Sequence, residues 1–101
     1  SERLEELKRF VELMPGDPFP LYGLALEQRS QGNFAEAAAS FESLMAKHPA
    51  YVPQYLMYGK LLAGELGDPK KAKAVLQLGV EKHSKQVTAT RSELLSELEA
   101  L

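Results

Sequence analysis

The sequence predicts an all-α fold, a short stack of antiparallel helix–turn–helix units, and three observations carry that prediction. Turn signals recur at a regular beat: Pro15-Gly16-Asp17-Pro18, Gln31-Gly32-Asn33, Pro49 to Pro53, Leu66-Gly67-Asp68-Pro69 and, more weakly, His83 to Gln86. The segments between them run about 12 to 16 residues and place their apolar side chains at helical rather than alternating spacing. The chain also repeats itself. Pro15 and Pro49 are 34 apart, as are Ala25 and Gly59; Gly32 and Gly67, Ala37 and Ala72, Phe41 and Leu76, Met45 and Val80, and His48 and His83 are 35 apart. A helical hairpin of about 34 residues is therefore the repeating unit. The slip from 34 to 35 puts one extra residue in the stretch 62–66.

The elements follow in order. Residues 1–15 form one helix, the second helix of an incomplete unit, with Leu4, Leu7, Phe10, Val11 and Met14 along one face. Residues 18–49 form the first complete unit. Its first helix shows Leu21, Leu24, Ala25 and Gln28 on one face, with Tyr22 and Leu26 nearby. Its second helix lines up Phe34, Ala37, Ala38, Phe41, Leu44 and Met45. Residues 52–84 form the second unit, and residues 86–101 a closing helix that caps the stack. Together these make a single domain, and 101 residues suffice for no more than one. The helix starts have a mechanism. Asp17 and Asp68 can accept from orphan backbone N–H groups, with Pro18 and Pro69 at the first helical position, where a missing N–H costs nothing. Asn33 with Glu36 has the shape of a capping box. Thr90 to Glu93 has it too, but falls inside the last helix.

The run Ala37-Ala38-Ala39 between Phe34 and Phe41 explains how the hairpin closes. The separation of packed helices, about 8–10 Å, depends on side-chain size at the crossing. Ala37 and Ala72 are expected where the second helix of each unit meets the first, opposite Ala25 and Gly59. Phe41 and Leu76 are expected to fill the space between neighbouring units. On this reading Ala37→Leu overpacks the crossing by about 1–3 kcal/mol, and Phe41→Ala leaves a cavity costing about 3–5 kcal/mol.

Composition narrows the function. The net charge of −2 gives no strong pull toward nucleic acid or anionic lipid. The absence of cysteine excludes a disulfide framework, a thiolate metal site and a thiol nucleophile, and fits a reducing, cytoplasmic compartment. No apolar run approaches the roughly 18 residues of a membrane span, and the charged N-terminal segment has no signal-peptide core. The chain opens on Ser1 rather than methionine, which fits a piece excised from a longer protein.

The spacing resembles that of the tetratricopeptide repeat, whose pattern runs W-x2-L-G-x2-Y, then A-x3-F, then P. The first unit reads Leu21-x2-Leu24-Ala25-x2-Gln28, then Ala37-x3-Phe41, then Pro49. The second reads Tyr55-x2-Tyr58-Gly59-x2-Leu62, then Ala72-x3-Leu76, with Ser84 in the proline place. In the incomplete unit Arg3 stands for the small alanine and Leu7 for the large apolar residue. The resemblance covers about residues 18–84. It implies a right-handed superhelical stack whose first helices line a concave groove that binds an extended peptide or a partner helix. Carried onto this sequence by helical spacing, the groove holds Phe19, Tyr22, Leu26, Arg29, Leu56, Lys60 and Arg91, with Ser30, Ala63, Gly64 and Leu95 beside them. Aromatic and aliphatic anchors with Arg29, Lys60 and Arg91 suit a protein partner carrying apolar and acidic groups. Some members of the family clamp a C-terminal carboxylate with lysine and asparagine. Tyr22 and Leu26 occupy those places here, which argues against such a clamp.

Nothing in the sequence points to catalysis or to a cofactor. His48 and His83 sit one repeat apart at helix ends, where the dipole favours them as caps, and not at the H-x3-H spacing of a metal helix. The acids of the first helix, Glu2, Glu5, Glu6 and Glu12, and of the last, Glu93, Glu97 and Glu99, belong to solvated faces, with pairs such as Glu5 and Arg9 at i,i+4. There is no G-x-S-x-G, no glycine-rich phosphate loop and no H-E-x-x-H. A non-catalytic protein-binding module is the reading that remains. Two alternatives accompany it: self-association into a homo-oligomer through the terminal helices, with Leu4, Leu7 and Phe10 at one end and Val87, Leu94, Leu95, Leu98 and Leu101 at the other; and polyanion or nucleic-acid binding through Lys70, Lys71, Lys73, Lys82 and Lys85.

Overall fold

The structure, a computed structural model, describes residues 2–83 and 89–101, and all of their side chains except those of 89–92. Six helices run in order: α1 Glu2–Leu13, α2 Pro18–Ser30, α3 Phe34–Lys47, α4 Pro53–Ala63, α5 Pro69–Lys82 and α6 Ala89–Ala100. No strand occurs among the described residues. The chain divides into two compact units, residues 1–48 with α1 to α3 and residues 49–101 with α4 to α6.

In the first unit α2 and α3 form a hairpin with α1 laid on α2. The backbone of Asp17 is extended, and its carboxylate accepts from the N–H of Phe19 at 2.9 Å. α2 stops where Gly32 takes φ 81, a left-handed turn that a side chain would strain. The capping box expected of Asn33 and Glu36 does not form. Asn33 stands at ψ 67 rather than in the extended region where a capping side chain swings over the helix start, and its side chain makes no cap bond. Its carbonyl still accepts from the N–H of Ala37, at 2.9 Å. Ala25, Ala37, Phe41 and Leu44 have no exposed surface, so the small residues do sit inside the hairpin. One polar pair is buried with them: the Ser40 hydroxyl donates to Gln28 Oε1. That bond explains how Gln28 occupies a place where the repeat pattern has tyrosine. On α1 Leu7 comes close to Gly23, and Arg3 Nε meets Glu27 Oε1 at 3.4 Å. Glu5 pairs with Lys8 at 3.8 Å rather than with Arg9. α1 has no fully buried residue.

In the second unit α4 is buried around most of its circumference, at Gln54, Tyr55, Leu56, Tyr58, Gly59, Leu61 and Leu62. α5 and α6 both pack on it. A Cβ on Gly59 would lie 2.5 Å from Leu76 Cδ2. Leu76 therefore presses into the α4–α5 crossing of its own hairpin, whereas the repeat spacing predicts it between neighbouring units. Gly79 marks a tighter approach, since a Cβ there would lie 2.5 Å from the Cβ of Tyr55 and 3.0 Å from Leu94 Cδ1. The Tyr55 hydroxyl donates to the carbonyl of Pro49 and ties the turn before α4 to the helix; burial raises the pKa of this phenol above its ordinary 10.0. The extra residue of this repeat widens the turn after α4. There the N–H of Leu66 reaches Leu61 O at 3.0 Å and that of Asp68 reaches Leu62 O at 2.7 Å. Asp68 then caps α5 through the N–H of Lys71 at 3.1 Å. The closing helix is α6, whose Leu94 is fully buried. The expected start of that helix at 86, with Lys85 and Val87, lies outside the described residues.

Candidate functional site

Helical spacing puts Phe19, Tyr22, Leu26 and Arg29 in one stripe of α2, away from the stripe of Leu21, Leu24, Ala25 and Gln28 that enters the core. Burial separates the two stripes as that geometry requires. Phe19 is 64 % exposed, and Tyr22, Leu26 and Arg29 are each partly exposed. The stripe thus shows an aromatic ring at its N-terminal end and a guanidinium near its C-terminal end, about ten residues or 15 Å along the helix.

In the second unit Leu56 is only 6 % exposed. It is a core side chain rather than a surface anchor, because α4 is apolar on nearly every side and buries most of them. Lys60, one helical turn further on, is partly exposed. The side chain of Arg91 lies outside those described.

A feature that the sequence reading did not assemble lies beside the α2 stripe. α1 crosses α2 so as to leave a cleft of about 320 Å³ between them, lined by Arg3, Glu6, Leu7, Phe10 and Met14 of α1, with Asp17, Phe19 and Pro20. Three of its large apolar side chains are open to solvent: Phe10 at 46 %, Met14 at 41 % and Phe19 at 64 %. The signal in the sequence was the i,i+4 pair Phe10 and Met14, followed by Phe19 directly after the turn. Read as a helix face alone, that pair looks like core.

The other candidates settle differently. His48 and His83 are the C-terminal cap residues of α3 and α5, their N–H groups donating to Leu44 O and Val80 O. Among the described residues no group of three or more His, Asp or Glu side chains is placed to hold a metal ion. Lys70, Lys71, Lys73 and Lys82 are exposed on α5, and Lys71 Nζ stands 5.9 Å from the centroid of the Tyr58 ring. None of the described helices is long and apolar enough to cross a membrane.

The family model of the tetratricopeptide repeat matches residues 28–94. A tetratricopeptide repeat domain protein from Salinibacter ruber is similar in two structures. Its crystal structure is 33 % identical, covers 83 % of this chain and 93 % of that one, and superposes with a TM-score of 0.76. A solution NMR structure is also 33 % identical, covers 85 % of this chain and 87 % of that one, and gives a TM-score of 0.77. No curated protein sequence matches the chain.

Proposed function

The chain belongs to the tetratricopeptide repeat family, whose members generally serve as protein–protein interaction modules, and from that premise we propose that it binds a peptide or helix of a partner protein along the α2 face of Phe19, Tyr22, Leu26 and Arg29. The observation that carries the reading is Phe19, an aromatic ring left 64 % exposed at the head of a helix whose opposite face is core. Aromatic side chains and arginine are the residues on which binding energy concentrates at interfaces. A ring held on a helix gives up little conformational freedom when it is covered. Arg29 then meets an acidic group of the partner, which fixes the direction in which it lies and rejects basic sequences at that end. Lys60 gives α4 a partly exposed cation suited to the same kind of group. The role is non-catalytic, in keeping with the family's usual use as an interaction scaffold.

Affinity capture from native lysate, run beside a Phe19→Ala/Arg29→Glu variant, tests this reading. Both substitutions fall on the outer stripe, so the variant is expected to keep its helical circular dichroism. A protein retained by wild type and lost by the folded variant supports the α2 face. Capture of the same proteins by both would sink it.

A further inference from the structure

We draw no further inference here: the strongest candidate, the cleft between α1 and α2 over Phe10 and Met14, is the open apolar face of α1, and nothing in the structure shows what covers it.

Discussion

Replacing three glycines by alanine, one at a time, asks how closely these helices approach each other. In a helix interior alanine is favoured over glycine by about 0.8–1.0 kcal/mol, so without neighbours all three changes would stabilise. The neighbours decide otherwise. At Gly79 the new Cβ falls 2.5 Å from the Cβ of Tyr55. Carbon atoms prefer about 3.5–4.0 Å, so about 1 Å must be found. The obstructing atom is bonded directly to the α4 backbone and cannot rotate aside, so α4 and α5 have to move apart. Overpacking of this kind costs about 1–3 kcal/mol, and at the upper end it outweighs the propensity gain to leave a net loss of about 2 kcal/mol. At Gly59 the obstruction is the end of the Leu76 side chain, at 2.5 Å. A side-chain end can turn in principle, but Leu76 is 1 % exposed and has nowhere to go. A net loss of about 1 kcal/mol is expected there. At Gly23 the nearest atom is Leu7 Cδ2 at 3.2 Å, on a partly exposed side chain that can give way. Gly23→Ala should be neutral or stabilising by up to about 1 kcal/mol. Urea unfolding followed by circular dichroism reads all three, with an unchanged slope required for the comparison. In thermal melts each kcal/mol corresponds to about 4–8 °C for a chain of this size. A Gly79→Ala protein with a higher midpoint than wild type would refute the argument.

The buried polar pair gives a second test: Ser40→Ala leaves Gln28 Oε1 without its donor and should cost about 1–3 kcal/mol, whereas Ser40→Ala with Gln28→Leu should recover much of it, and a double-mutant cycle from urea midpoints measures the coupling. The caps give a third. Asp17→Ala and Asp68→Ala should each cost about 1 kcal/mol, while Asn33→Ala, which removes no cap bond, should change the midpoint by less than about 0.5 kcal/mol. The fourth concerns pH. With the Tyr55 pKa raised in the folded state, the unfolded chain releases the phenolic proton first, so this contribution to stability is present below the ordinary value of 10.0 and falls as pH rises past it. Unfolding midpoints from pH 8 to 11 should decline more steeply for wild type than for Tyr55→Phe.

The period of the sequence revealed the hairpins because the forces that set it are local or recur in every repeat. Asp17 and Asp68 announce helix starts one after the other, glycines with positive φ end α2 and close the turn before α5, and small residues at Ala25, Ala37, Gly59 and Ala72 recur wherever two helices must come close. Asn33 shows the limit of that legibility. The residue type is right for a cap, but whether the side chain swings over the helix depends on a ψ angle set by the turn it terminates.

Surface faces were harder to read, for a reason that the two units illustrate. Tyr22, Leu26 and Leu56 are apolar residues on the first helices of successive repeats, and the sequence treats them alike. In the structure the first two remain partly exposed, while Leu56 disappears into a helix buried on nearly all sides. Whether an apolar side chain is an anchor or a core residue is decided by what lies over it, and helical periodicity reports only direction. The same reasoning accounts for the cleft. Phe10 and Met14 have the spacing of a core stripe, but among the described helices α1 packs on α2 alone, and that stripe stays an open floor beside Phe19. The acids at its edge do not decide between the two readings, since Asp17 is there as the cap of α2 and Glu6 shares α1 with Lys8 and Arg9.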